Sequence, residues 1–217
     1  MKELEMLAYL EKFVTFRRKQ LFDKVASTRT NHFTVAVEDV GHLHNTSAVM
    51  RSCEAFGIQH MHVIEDKFGK RIDREIAMGA QKWTSIERHS SVSDAILKLK
   101  EQGFRIVATS PHKKKHTLDN FSINQPAALR FGSEAKGLSD EVLEQADDFI
   151  YIPTYGFTES LNISVSAAII IQELMSRLRK SDISWQLTEK EQIQLKLQWL
   201  KKHIKNCDGL IADFEEK

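Results

Sequence analysis

The sequence predicts an α/β fold built on a mainly parallel sheet with helices on both faces. Three observations predict it. Short β-branched runs recur along the chain, capped amphipathic stretches stand between them, and glycines or polar clusters separate the two. Strands that alternate with helix-length stretches pair in parallel and are covered on both sides.

The elements follow in order. Residues 3–25 place Leu4, Leu7, Tyr9, Leu10, Phe13 and Val14 at helical spacing ahead of the basic cluster Arg17, Arg18, Lys19, which reads as one or two helices. A strand FTVAVEDV (Phe33 to Val40), a helix NTSAVMRSCEAFG with Asn45 as its cap and Gly57 as its stop, and a strand HMHVIE make one βαβ unit. The pattern recurs as strand TSIER, helix VSDAILKLKEQG closed by Gly103, strands FRIVATS and AALRFGS, helix SDEVLEQA and strand DFIYIP. A helix ending near Arg179 is followed by the polar break KSDISWQ. A last amphipathic helix then carries Ile193, Leu197, Leu200 and Ile204 on one stripe, and Thr188 with Glu191 forms a capping-box signature at its start. The expected organisation is a helical extension over 1–28, an α/β body over 29–180 and a second helical extension over 181–217.

Composition narrows the class. A chain of 217 residues buries a full core as one domain. Its 31 basic and 30 acidic residues nearly cancel, so net charge is silent about nucleic acid and the distribution must decide. Cys53 and Cys207 have no metal-type spacing and offer no disulfide framework, which fits a reducing compartment and predicts the cytoplasm. The first twenty residues lack an apolar signal core, and runs such as AAIII are too short to span a bilayer, so a soluble protein is expected.

The ordinary dinucleotide fingerprint is missing, since EDVGHLHNTSAVMR holds a single glycine after the first strand. That disfavours a nucleotide-dependent oxidoreductase. The glycines fall instead in FGSEAKGLS (Phe131 to Ser139) and IPTYGFTESLN, both just beyond the C-terminal ends of expected strands, where open parallel sheets bind ligands.

Three blocks, HNTSAVMRSCEAFGI, FGSEAKGLS and IPTYGFTESLNISVSAA, together resemble the three motifs of the SpoU branch of the SPOUT RNA 2'-O-methyltransferases, in order and spacing over roughly 17–200. The resemblance implies a C-terminal trefoil knot (the SPOUT fold) around 29–180, an obligate homodimer, and S-adenosylmethionine as cofactor. Within the branch, the short basic N-terminal segment and the trailing WLKK helix look most like members that methylate the D-loop guanosine of tRNA. Ribosomal RNA, another tRNA position, and a catalytically silent RNA-binding dimer stay open as alternatives.

By that resemblance Thr109, Gly132, Ile152, Gly156, Ser160, Leu161 and Asn162 wrap the cofactor, largely through backbone groups, and Arg51, Asn45 and Glu134 are catalytic. Each also has a plain local reading. Arg51 reads as an exposed helix arginine, Asn45, Ser160 and Asn162 as helix caps, and Glu134 as a turn carboxylate. As a catalytic group Arg51 suits charge better than base chemistry, because a guanidinium with a pKa above about 12 keeps its proton. It would stabilise the developing alkoxide and the neighbouring phosphate. Arg17, Arg18, Lys19 and Lys82 with Trp83 are the expected RNA contacts, combining cations with an aromatic ring. The run HKKKH (His112 to His116) reads as a solvated loop, with phosphate contact as the alternative. No metal is expected, since His42 with His44 and His60 with His62 are pairs without a third ligand. Arg130, Thr154, Tyr155 and Glu159 depart from the family's usual residue types and bear on substrate choice.

Overall fold

A computed structural model of the chain describes residues 2–38, 43–65, 74–133 and 136–215. Along it run α1 (Lys2–Leu10), α2 (Phe16–Ala26), β1 (Phe33–Glu38), α3 (Leu43–Phe56), β2 (His60–Ile64), α4 (Arg74–Ala77), β3 (Ser85–His89) and α5 (Val92–Glu101). There follow β4 (Arg105–Thr109), β5 (Ala127–Phe131), α6 (Asp140–Gln145), β6 (Asp148–Ile150), α7 (Ile163–Arg179), α8 (Glu189–His203) and α9 (Cys207–Glu215). The described residues fall into two compact units, Asn31–Trp185 and the paired segments Met1–Thr30 and Gln186–Lys217.

The larger unit has the expected α/β fold class. Its six strands run in the order β3-β2-β1-β5-β4-β6, all parallel. Every residue of β1 and β5 is buried, as central strands covered on both faces must be. On one face Val35, Val37, Met61, Val63, Leu129 and Phe131 pack against α3 and α7, with Val49, Cys53, Ile171 and Leu174 among the partners. On the other, Ala36, Ile106 and Ala128 pack under α5 and α6 through Ile96, Leu99 and Val142. Gly57 and Gly103 end α3 and α5 at φ of 89° and 85°, the left-handed conformation that favours glycine as a helix stop.

One connection is unusual. Parallel neighbours are ordinarily joined through a helix, yet residues 110–126 between β4 and β5 contain none. This loop is held by the neighbouring strand instead: His116 forms a parallel bridge with Ile150 of β6, and Phe121 and Ile123 bury in the core. The solvated loop expected at His112–His116 forms its outer edge, with His112, Lys113, Lys114 and Lys115 exposed and His116 half-buried. Lys115 and His116 meet the carboxylate of Asp148 at 2.8 and 3.1 Å.

The smaller unit is helical. Trp199 of α8 is almost wholly buried, beside Phe22 and under the guanidinium of Arg29, 5.7 Å from the ring centroid. The capping box at Thr188 forms as expected, Thr188 N–H donating to Glu191 Oε2 at 2.7 Å. The expected stripe is incomplete. Leu195 and Trp199 are buried along with Leu197 and Leu200, whereas Ile193 and Ile204 are only half-buried, and α9 was not anticipated. Among the described residues no helix is long and apolar enough to cross a membrane.

Candidate active site

Strands β4, β5 and β6 end together, and past their C-terminal ends a cavity of about 290 Å³ opens in the larger unit. Of the residues expected to bind the cofactor, Thr109, Gly132, Ile152, Ser160 and Leu161 line it; Gly156 and Asn162 do not. Its walls join apolar side chains such as Phe131, Leu138 and Ile170 to polar ones such as Ser110, Glu159 and Ser166. An apolar body with a few polar groups is the usual make-up of a small-molecule site.

Local physics explains the cavity's shape. Thr109 Oγ1 donates to the Arg130 carbonyl at 2.7 Å, tying the end of β4 to β5. After β5 the chain doubles back in a bridge between Ser133 and Gly137, whose N–H groups and carbonyls exchange hydrogen bonds of 3.0 and 2.8 Å. Gly132 lies so close to that return that an added Cβ would stand 2.0 Å from the carbonyl carbon of Gly137. Only glycine fits there. Gly156 is the opposite case. A Cβ there would meet nothing nearer than 4.0 Å, so no close approach of the protein's own backbone calls for glycine at this position.

The first and third sequence blocks meet at the edge of this cavity. Asn162, between the lining residues Leu161 and Ile163, caps α7 by accepting the Ser164 N–H at 2.8 Å and the Ser164 hydroxyl at 2.6 Å. Its Nδ2 donates to Asn45 Oδ1 at 3.2 Å. The cap reading thus holds for Asn162, but not for its neighbours. Asn45 lies within the first turn of α3, where its side chain is free to reach across, and Ser160 lies in the loop lining the cavity.

Arg51 is exposed on α3 and does not line the cavity. Six residues beyond Asn45, it stands about 120° around the helix and about 9 Å along it, so one chain does not bring the two side chains to one point. Glu134 and His42 lie outside the described residues.

The expected RNA contacts divide between the units. On α2, Arg17 is exposed, Arg18 lies over the Phe22 ring at 5.9 Å, and Lys19 pairs with Glu11, whose hydrogen bond and charge hold the Lys19 ammonium above its ordinary range. In the larger unit Lys82 is exposed, beside the half-buried Trp83. Lys136 and Leu138 of the expected FGSEAKGLS stretch and Ser110 at the end of β4 also line the cavity, as do Pro111 and His112, which were not anticipated there. The one sequence signal for them was their place directly after a strand end. Arg130 is wholly buried, with Glu38 Oε2 3.8 Å from its Nη2 and, among the described residues, no hydrogen-bond partner for its guanidinium nitrogens. Burial pushes it down to about 10, against the pull of Glu38, so it keeps its charge at neutral pH.

Known proteins share both sequence and shape with this chain. A curated tRNA (guanosine(18)-2'-O)-methyltransferase of Borreliella burgdorferi is 40% identical over 203 residues, covering 94% of this chain and 93% of its own. One from Thermus thermophilus is 33% identical over 169 residues, covering 78% and 87%. The crystal structure of the A. aeolicus TrmH/SpoU tRNA modifying enzyme superposes with a TM-score of 0.78 at 32% identity, over 88% of this chain and 98% of that one. The profile described as the SpoU rRNA Methylase family matches residues 32–172, which span β1 to α7 and hold the whole cavity. The chain belongs to the SpoU methylase family.

Proposed function

We propose that this protein is a tRNA (guanosine-18 2'-O-)-methyltransferase, moving the methyl group of S-adenosylmethionine to a ribose 2'-hydroxyl. The observation that carries this reading is the cavity beyond β4, β5 and β6, with the first and third blocks joined beside it through Asn45 and Asn162. The family match and the relatives, covered over most of their own length, supply the reaction and the RNA.

S-Adenosylmethionine supplies, when bound, an activated methyl on a sulfonium. The cavity fits such a group: apolar walls for a ring system, polar groups at Ser110, Glu159 and Ser166, and a tight backbone turn at Gly132 that admits no side chain. Gly132, Ile152, Ser160 and Leu161 hold the cofactor in this reading. Thr109 fixes the strand end beneath it, and Asn162 fixes the loop by capping α7. Glu134 remains assigned beside the cofactor by resemblance. Arg51 acts as a fixed cation for the attacking 2'-oxygen and the adjoining phosphate.

That role requires Arg51 to come from a second copy, because within one chain it lies outside the cavity. An obligate homodimer meets the requirement. Its support is an apolar strip on the loop before α7 and on α7 itself: Tyr155 and Phe157 are fully exposed, and Leu161, Val165 and Ile169 partly so. The trefoil knot and the division at 1–28, 29–180 and 181–217 belong to the same reading. Arg17, Arg18, Lys19, Lys82 and Trp83 are assigned to tRNA. Cytoplasmic location follows from the substrate.

Nucleoside mass spectrometry of tRNA from cells lacking the protein tests the reading. The D-loop 2'-O-methylguanosine should vanish, and return when purified protein and S-adenosylmethionine are added. An unaltered nucleoside profile would overturn it.

A further inference from the structure

We propose that the β3 edge of the sheet carries a second site, in which His62, Glu87 and His89 bind a divalent transition-metal ion, zinc by donor set, with Asp94 of α5 orienting the His89 ring. The site is independent of methyl transfer. It is built on β2 and β3, whereas the cavity lies beyond β4, β5 and β6.

Register creates the cluster. His62 of β2 pairs with Glu87 of β3, and Ile64 pairs with His89. Paired residues of a parallel sheet share a face, and so do residues two apart on one strand, so all three side chains rise on the same side. The His60–His62 pair in the sequence was therefore misleading. His60 is exposed, and the groups that converge on His62 come from the neighbouring strand.

The donor atoms suit one small ion. His62 Nδ1 lies 3.0 Å from His89 Nε2, Glu87 Oε2 lies 3.9 Å from the first and Glu87 Oε1 3.7 Å from the second, and one donor atom from each residue can be chosen with all three within 4.8 Å of one another. Zinc bonds to nitrogen and oxygen of about 2.0–2.2 Å give a tetrahedral ligand–ligand edge of about 3.3–3.6 Å. The observed separations lie near that span, and a small turn of the Glu87 carboxylate brings one oxygen to both nitrogens. Both imidazoles are nearly inaccessible at 2% and 5% exposure, while Glu87 reaches toward solvent, which leaves an approach for the ion and a place for water as fourth ligand.

The second sphere is also in place. His89 Nδ1 lies 3.2 Å from Asp94 Oδ2, so its N–H donates outward and Nε2 turns its lone pair toward the cluster. A carboxylate behind a ligating histidine is the usual support of a zinc site. Without metal, His62 Nδ1 donates its hydrogen to His89 Nε2; to bind an ion the neutral His62 ring takes its other tautomer, the hydrogen moving from Nδ1 to Nε2 and the Nδ1 lone pair turning to the metal. Two nitrogens and one carboxylate favour zinc-like ions over calcium or magnesium, which prefer oxygen. Two cations oppose the ion: Lys98 of α5 pairs with Glu87 but, being half-exposed, can withdraw to water, while the buried Arg130 acts on His62 through its charge and is held back by Glu38.

The test is titration of zinc chloride into the metal-stripped full-length protein, followed by calorimetry, with cobalt(II) absorption reporting tetrahedral coordination. One ion per chain should bind saturably and raise the melting temperature. Glu87→Gln, at a partly exposed position where misfolding is not expected, should weaken binding about 100-fold or more, and Asp94→Asn about 10- to 100-fold although it removes no ligand. Lys98→Met should tighten binding by freeing Glu87. His203→Ala, in the other unit, serves as a control and should change nothing. Absence of saturable one-to-one binding, or equal affinity in wild type and Glu87→Gln, would overturn the site.

Discussion

Gly132 and Gly156 look equivalent in the sequence, each a glycine in a loop beyond a strand end, but their surroundings separate them. At Gly132 a methyl group would occupy space already held by Gly137 and Leu138 backbone, and at Gly156 it would meet open space. Gly132→Ala should therefore abolish binding of S-adenosylhomocysteine in calorimetry, while Gly156→Ala changes it less than a few-fold. Because the first change also disturbs the turn, Ser166→Phe offers a second obstruction, entering the cavity from α7 and leaving the turn alone. Normal binding in both Gly132→Ala and Ser166→Phe would remove the cofactor from this cavity. Arg130 teaches a related lesson about single residues. In the sequence it only breaks an apolar strand pattern, and in the fold it is a charge in the core facing Glu38. A buried guanidinium without hydrogen bonds is costly, and the nearby Glu38 carboxylate offsets part of that cost.

At the scale of elements, the loop 110–126 depends on Asp148 at the start of β6. Burial alone would raise that carboxyl, but the hydrogen bond from Lys115, the Phe149 N–H and the His116 charge outweigh it and hold it below its ordinary value. A depressed folded value stabilises fully above the unfolded value of about 4 and is lost as pH falls through the folded one. Asp148→Asn should thus lower stability at neutral pH and flatten the loss of stability on the acid side of about pH 4, measured by urea unfolding at several pH values. Parallel curves for the two proteins would show that Asp148 does not hold the loop. The strands were legible because β-branched runs between polar breaks have few other solutions. Helix stops were legible at Gly57 and Gly103 for the same local reason. What was hidden depends on distant partners. Phe121 and Ile123 sit in a segment without periodicity, the reach of Asn45 to Asn162 joins residues far apart in sequence, and α9 begins after Asn206 at a φ of 53°, with a glycine in its first turn.

For the whole molecule, the proposed reading turns on where Arg51 stands. The cavity, the Asn45–Asn162 bond and the turn at Gly132 are all present in one copy, yet Arg51 stands on the outer surface of α3, away from the cavity lining. If the partner's arginine completes each site, two defects can be separated between subunits. Arg51→Ala removes a charge needed mainly in the transition state, so turnover should fall roughly 10²- to 10⁴-fold with cofactor affinity nearly intact. Ser166→Phe blocks the cofactor cavity and leaves Arg51 in place. Each homodimer should be inactive. A purified mixed dimer then contains one site with both lesions and one with neither, and should recover about half of wild-type turnover per dimer, as a symmetric interface that exchanges residues requires. If each chain were self-sufficient, both sites of the mixed dimer would carry a lesion and no activity would return. That result would move Arg51 back to its own chain and leave the exposed strip from Tyr155 to Ile169 without the partner assigned to it.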